Sequence, residues 1–403
     1  MNTSQNERLA IITRVFTLMN ILGMLWLQLH FLGLEGQGKM AWVNTAIVIF
    51  TQYSQWIGGG AMAYLMTRVS PKNLLFPAVL WIALGEFIFL VIIFSFLGEP
   101  FQIWQWLSIL LLCSIQALFT TFQNMLLGKN RTRDYHITIL VQTTTTLIFT
   151  GIALWISPQI SSVIAAMLLS FITTAMVSGK MIQAEIWPME TDHWHTHLAD
   201  LFHHGKYVQG ANSLLLILVR TPIYLIPYFT GGSFTMAGMY SILLYLSEGI
   251  LIGTKSFSVV QFAAICNASN ASDCWKITQK SLLKSIIVAS VLSIAWLLTP
   301  VQLLDFLMAA PWSEIKTASY YFLPGIFLQS MSLIWLHLFS GTGYFKFNFH
   351  NAIITVFTGI FCLIMMNENH LKSIAAALSI AWAMQWSVYV FLILKWRKLE
   401  QVH

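Results

Sequence analysis

Long apolar runs separated by short polar turns fill most of the chain. None of the runs shows the ten-residue alternation of apolar and polar positions that a membrane β-strand requires. A helix of about 20 apolar residues spans the hydrocarbon core of a bilayer. The pattern therefore predicts an all-α polytopic membrane protein with twelve transmembrane helices, at roughly 9–32, 40–66, 74–97, 103–127, 135–156, 159–182, 204–229, 234–264, 279–299, 314–340, 347–367 and 370–395.

The turns between the runs repeat in order along the chain. The segment LGLEGQGKM at 32–40 leads into the second run, and TGGSFTMAGM at 230–239 leads into the eighth. A turn at Gly128 is likewise echoed by one at Gly341. The repeat predicts two six-helix lobes in tandem, 1–182 and 204–403, joined by a cytoplasmic connector at 183–203. Two membrane-embedded halves are typical of alternating-access transporters.

The composition indicates that lipid surrounds most of the chain, and the positions of the Lys and Arg residues indicate its orientation in the membrane. The chain is 57% hydrophobic and 9% charged, whereas a soluble domain has about 25% charged residues. With the N-terminus in the cytoplasm, 16 of the 21 Lys and Arg residues fall in cytoplasmic segments and 3 in the opposite loops. The positive-inside rule therefore predicts that both termini are cytoplasmic. The net charge of +6 favours contact with anionic lipids and is no argument for a nucleic-acid partner.

The connector is rich in histidine and aromatic residues. His193, His195 and His197 suggest a metal site, but this spacing does not place all three on one helical face, and no Cys or carboxylate cluster completes a ligand set. We favour an interfacial helix on the inner leaflet and expect neither a metal nor a cofactor. The apolar side of this helix would carry Trp187, Trp194, Leu198, Leu201 and Phe202.

Five ionisable residues lie inside the predicted spans, where a charge is costly and usually functional. They are Arg14 in the first span, Glu86 in the third, Arg220 in the seventh, and Glu248 and Lys255 in the eighth.

Spacing relates three of these residues to one another. Glu248 and Lys255 are two helical turns apart and share a face. Arg220 and Glu248 would lie at similar depth in antiparallel neighbouring helices. One interpretation is an ion pair that pins the two helices together. The interpretation we favour is a cationic cavity wall that receives an anionic substrate.

Helix-breaking residues occur beside these charges. The seventh span contains Pro222 and Pro227, the eighth contains Gly249 and Gly253, and the second contains the run 58–60 of three glycines. Kinked or interrupted helices next to intramembrane charges are a common setting for a transport site.

Four segments carry a resemblance to a known family. They are LGLEGQGKMAWV, LVRTPIYLIPYFTGGSFTMAGMYSILLYLSEGIL, FLPGIFLQSMSLIWLHLFSGTGYFKFNFHNAI and LKSIAAALSIAWAMQW. With them, the chain resembles the polysaccharide (Wzx-type) flippases of the multidrug/oligosaccharidyl-lipid/polysaccharide exporter superfamily.

The resemblance implies a fold and a transport activity. The fold is two lobes forming a V around a central cavity. The activity is transfer of an undecaprenyl-pyrophosphate-linked oligosaccharide across a bacterial cytoplasmic membrane for surface polysaccharides such as lipopolysaccharide, with membrane lipids and glycan-assembly enzymes as partners. Arg14, Arg220 and Lys255 would bind the substrate, and Glu86 and Glu248 would act as counter-ions or in ion coupling. The chain departs from the family at Arg220, which is followed by Thr-Pro instead of the expected Arg-x-Asp pattern.

Three other functions are weighed against this one. A cation-coupled multidrug antiporter of the same superfamily would share the fold but rely on acidic cavity residues. A membrane polysaccharide polymerase or ligase would carry a large external loop with catalytic Arg or His, and no predicted external loop is long enough. A purely structural membrane protein gives no reason for charges beside kinked helices. The chain has no GxxxxGK[ST] nucleotide motif, so we expect a transporter and not an enzyme.

Overall fold

The computed structural model describes residues 3–66, 68–96, 102–266, 268, 270–308, 310–365 and 371–400. Within these ranges the chain is α-helical and contains no strand. Eleven helical stretches are long and apolar enough to cross a membrane. The helices are α1 (Thr3–Gly58), α2 (Gly60–Leu65), α3 (Pro71–Phe96), α4 (Ile103–Gly128), α5 (Thr132–Ile156), α6 (Ile160–Ile186), α7 (Trp194–Phe229), α8 (Thr235–Cys266), α9 (Ala271–Leu298), α10 (Val301–Leu307), α11 (Trp312–Gly341), α12 (Phe345–Met365) and α13 (Leu371–Glu400).

Helix α1 contains the first predicted span and most of the second. At 1.5 Å per residue its 56 residues would measure about 84 Å, far more than a bilayer core. Gly33 interrupts it with φ 68° and ψ −174°, a conformation that glycine adopts without the steric penalty of a Cβ. Division of α1 at Gly33 makes two spans of one apolar stretch. The eleven apolar stretches therefore correspond to the twelve predicted spans.

The described chain forms two compact units. The first contains the described residues up to Leu32 together with Trp42–Ser213, and the second contains Gly33–Ala41 together with the described residues from Leu214 onward. The units change over between Ser213 and Leu214 inside α7, and the helical segment Gly33–Ala41 belongs to the second unit. The two lobes on either side of the 183–203 connector stay a prediction.

In the first unit, α4 and α6 pack together at the centre. Helix α5 packs on α6, and α2 and α3 pack on α4. Apolar side chains from these helices and from the start of α7 form one core, which includes Ile57, Met62, Leu74, Met125, Ile182 and Leu201.

In the second unit, α11 is the central helix. It contacts α8, α9, α12 and α13 and has the largest buried share of the apolar helices described. A core at one end of it is rich in aromatic side chains and includes Trp335, Phe339, Tyr389 and Trp396.

Both units contain the same close helix crossing. In the first, a Cβ added to Gly128 of α4 would lie 2.7 Å from the carbonyl oxygen of Ala63 and 2.7 Å from the Cβ of Met66. In the second, a Cβ added to Gly341 of α11 would lie 2.6 Å from Cγ2 of Ile265. The two glycines are the pair that the repeated turns matched, so the repeat is present in the packing as well as in the sequence.

Candidate functional site

An ion pair between α7 and α8 lies within the second unit. Nη2 of Arg220 donates a hydrogen bond to Oε1 of Glu248 at 2.7 Å. The Arg220 side chain is 13% exposed and that of Glu248 is 37% exposed. The two helices are consecutive and joined by a short turn, so side chains on their facing sides can meet. The predicted match in depth is confirmed by this contact.

The backbone around Arg220 is also unusual. Pro222 lies inside α7 and cannot donate the hydrogen bond that a helical N–H would give. The hydroxyl of Tyr240 in α8 donates to the carbonyl oxygen of Val219 at 2.7 Å. A side chain of α8 therefore holds the kinked segment that carries Arg220. The Nε of Arg220 is buried and has no hydrogen-bond partner among the described residues.

Lys255 lies two turns beyond Glu248 on α8. Its side chain is exposed and makes no hydrogen bond or ion pair with a described residue. Glu248 therefore pairs with Arg220 and not with the cation on its own helix.

The other two ionisable candidates lie in the first unit. Glu86 on α3 is half-buried and has no hydrogen bond or ion pair with the residues described. Arg14 on α1 is half-buried and interacts electrostatically with Tyr135 and His136 of α5. Of the five candidates, the structure brings only Arg220 and Glu248 into contact.

The connector differs from the predicted interfacial helix. Residues from Trp194 onward are the first turns of α7, continuous with its apolar part. Trp194 makes an edge contact with Phe76 of α3 at 6.1 Å between ring centroids. Leu201 belongs to the core of the first unit and Leu198 packs against it, so these two side chains contact protein and not a leaflet. Trp187 is 66% exposed.

The histidines of the connector lie just before α7 and on its first turns. His193 has φ 53° and precedes α7, while His195 is exposed on its first turn. In the part of the chain that the structure describes, no group of three His, Cys, Asp or Glu side chains is arranged to hold a metal ion.

A polar cluster in the first unit escaped the sequence analysis. Helix α1 ends at Gly58 and α2 begins at Gly60, because Gly59 has φ −89° and ψ −139°. Nδ2 of Asn124 donates to Oε1 of Gln55 at 3.1 Å and to the carbonyl oxygen of Gly58 at 2.9 Å. The three consecutive glycines signalled the break, but the amides around it come from separate helices.

Comparison with known proteins identifies the fold. No family model matches the chain, and no curated protein matches it in sequence. Among solved structures, the outward-facing conformation of a multidrug resistance MATE family transporter of the MOP superfamily matches with a TM-score of 0.73, at 11% identity, over 99% of this chain and 97% of that one. The chain has the MATE transporter fold.

Two further matches extend the comparison. A mutant form of the Vibrio cholerae MATE transporter VcmN matches with a TM-score of 0.69 at 12% identity, over 98% of each chain. A MOP superfamily transporter from Pyrococcus furiosus, described as having a binding pocket of reverse polarity that suggests a different function, matches with a TM-score of 0.69 at 12% identity, over 97% of this chain and 96% of that one. The all-helical membrane architecture is thereby confirmed, while the narrower resemblance to polysaccharide flippases stays a prediction.

Proposed function

We propose that the chain is an alternating-access transporter that flips an undecaprenyl-pyrophosphate-linked oligosaccharide across a bacterial cytoplasmic membrane. The observation that carries this proposal is the guanidinium of Arg220, which pairs with Glu248 and keeps a buried, unused donor at Nε. An intramembrane cation is costly and is usually retained for function. Pyrophosphate offers a guanidinium several strong acceptor oxygens in a geometry that suits paired hydrogen bonds.

The Arg220–Glu248 pair also provides a means of ion coupling. When a pyrophosphate binds Arg220, Glu248 loses its counter-ion. Glu248 is then available to a coupling cation, and substrate release would let Arg220 re-form the pair. Glu248 is the coupling residue in this scheme, and Lys255 adds a second cation on the same helix.

The remaining steps need no covalent chemistry. The headgroup cannot cross hydrocarbon unaided because its hydrogen bonds with water would be lost. The chain would supply polar partners for the headgroup while the lipid tail stays in the bilayer. The excess of cations on one side of the predicted spans supports cytoplasmic termini. Glycan-assembly enzymes are the expected partners.

A cation-coupled multidrug antiporter is the second candidate. Two observations favour it: the matched solved structures include multidrug transporters, and Glu86 is a half-buried acid without an ion pair among the described residues. An unpaired carboxylate of this kind attracts a cationic drug.

Reconstitution separates the two functions. Purified protein in liposomes is supplied with a fluorescent undecaprenyl-pyrophosphate oligosaccharide, and transfer is followed by the access of an added glycosidase to the sugar. The wild type should expose the sugar, Arg220→Ala should not, and Arg220→Lys should retain part of the activity because it keeps the charge. Lys276→Ala is the matched control, because Lys276 is 73% exposed. Wild-type transfer by Arg220→Ala would remove Arg220 from the mechanism, and ethidium efflux without sugar transfer would favour the antiporter.

A further inference from the structure

The break at Gly59 interrupts the second span of the first unit. Uncharged side chains surround it on three sides. Gln52 and Gln55 precede it on α1, Asn124 faces it from α4, and Gln209 faces it from α7. Discontinuous membrane helices commonly form the binding sites of transporters.

The amides converge on the break itself. A Cβ added to Gly59 would lie 2.8 Å from Nε2 of Gln209 and 2.9 Å from Oε1 of Gln55. Gln52 Nε2 donates to Gln209 Oε1 at 2.9 Å. Close packing of α7 accounts for this approach, because a Cβ at Gly205, one turn before Gln209, would lie 2.4 Å from the carbonyl oxygen of Trp56.

The cluster has hydrogen-bonding capacity that the chain does not use. Nε2 of Gln55 is buried without a hydrogen-bond partner among the described residues. Buried polar groups without partners are rare and call for an explanation. A bound ligand that accepts a hydrogen bond from this nitrogen would provide one.

The chemistry of the cluster restricts the ligand. Four amides supply donors and acceptors side by side, as the hydroxyl groups of a sugar also do. Divalent cations are normally held by carboxylates, and anions by Arg or Lys. None of Gln52, Gln55, Asn124 and Gln209 carries a charge.

We propose that the Gly59 break is a binding subsite for the uncharged sugar portion of the transported substrate, held by Gln55, Gln209 and Asn124. This inference rests on the proposed function and deepens it. The subsite lies within the first unit, so it can be mutated without changing Arg220.

Gly60 provides the reporter for a test. It is exposed, and a Cβ at this position would meet nothing within 4 Å. Gly60→Cys is introduced after Cys113, Cys266, Cys274 and Cys362 have been replaced by Ala. The rate of maleimide labelling is then measured in lipid nanodiscs with N-acetylglucosamine, glucose or maltose as probes. A Kd on the order of 1 mM would slow labelling about tenfold at ~10 mM sugar.

Variants establish whether the amides are responsible. Gln55→Leu and Gln209→Leu should each abolish protection while the labelling rate without sugar stays that of the parent, which shows that the break is intact. Gln142→Leu is the matched control, because Gln142 bonds to Gln116 of α4, two turns from Asn124. It should leave protection unchanged.

Four outcomes overturn the inference: no sugar slows labelling, sodium chloride alone slows it, pyrophosphate alone slows it, or protection survives both Leu variants. The test is distinct from that of the proposed function. Sugar protection without lipid-linked transfer would contradict the flippase and leave the subsite standing, whereas transfer without protection would contradict the subsite alone.

Discussion

The side-chain amide of Gln37 donates a hydrogen bond to the hydroxyl oxygen of Ser241 at 3.0 Å, and both side chains are buried. The residues are 204 positions apart. Gly38 and Gly238 permit the approach. A Cβ on Gly38 would lie 2.0 Å from the carbonyl oxygen of Phe234, and one on Gly238 would lie 2.3 Å from that of Leu34. The segment Gly33–Ala41 is thus fixed to the start of α8 by backbone packing and one buried bond.

Gly38→Val should destabilise the protein, because the valine side chain would collide with the carbonyl oxygen of Phe234. This oxygen belongs to the backbone and cannot move aside as the end of a flexible side chain can. Overpacking of this kind costs about 1–3 kcal/mol. The change should lower the apparent Tm measured by size-exclusion chromatography of heated samples. Gly60→Ala is the control, since its added Cβ meets open space. An unchanged Tm for Gly38→Val would mean that the segment is free to leave α8.

The Arg220–Glu248 pair should show energetic coupling. Glu248→Gln leaves the Arg220 charge without its counter-ion, whereas the double change to Glu248→Gln and Arg220→Met removes both charges. The double variant should therefore be more stable than the sum of the single changes predicts. The coupling should be about 1 kcal/mol, because Glu248 is more than one-third exposed and solvent weakens the pair. Strict additivity of the Tm changes would show that the pair has no net effect.

Lys255→Gln should lower transport with little change in stability. Lys255 has no ion pair among the described residues, so its loss should change the free energy of unfolding by less than ~0.5 kcal/mol. Transfer of the pyrophosphate-linked substrate should nevertheless fall, because a cation near Glu248 is lost. The measurement is the initial rate of transfer in liposomes beside the Tm of the same sample. Lys276→Gln serves as the comparison, and equal rates for the two variants would exclude Lys255 from substrate binding.

Glu86→Gln should distinguish the two candidate transport activities. If the chain flips an oligosaccharide through Arg220, a neutral residue at position 86 leaves transfer close to wild type. If it exports cationic drugs, the same change removes the acid that attracts them, and ethidium efflux is lost. Both assays are made on one preparation. Loss of oligosaccharide transfer in Glu86→Gln would contradict the assignment of coupling to Glu248 alone.

Much of the fold follows from the sequence because the bilayer fixes the length of each apolar run. The similar depth of Arg220 and Glu248 was predicted for a related reason, because consecutive antiparallel helices bring residues at similar depth together. Their ion pair was the interpretation that we did not favour. The assignment of Gly33–Ala41 to the second unit was not predicted, because it depends on a fit between Gly38 and Phe234 that no local pattern records.

The amides at Gly59 were missed for a different physical reason. The sequence does not show which neighbouring helix a single Gln or Asn in an apolar helix faces. These residues come from three separate helices, α1, α4 and α7. Leu198 and Leu201 were predicted to face lipid, but they pack at the core of the first unit. An apolar face next to a membrane-spanning run fits a lipid surface and a protein core equally well, and only the packing decides between them.

The exchange of segments between the compact units limits how the chain can be divided. Gly33–Ala41 belongs to the second unit although the residues on both sides belong to the first, and α7 begins in the first unit and ends in the second. Cleavage between Ile186 and Trp194 would give two fragments. The N-terminal fragment would carry Gly33–Ala41 of the second unit and lack the start of α7, which belongs to the first unit. The C-terminal fragment would carry the start of α7 and lack Gly33–Ala41. Each half-chain would therefore lack part of a compact unit, and we expect neither to fold by itself.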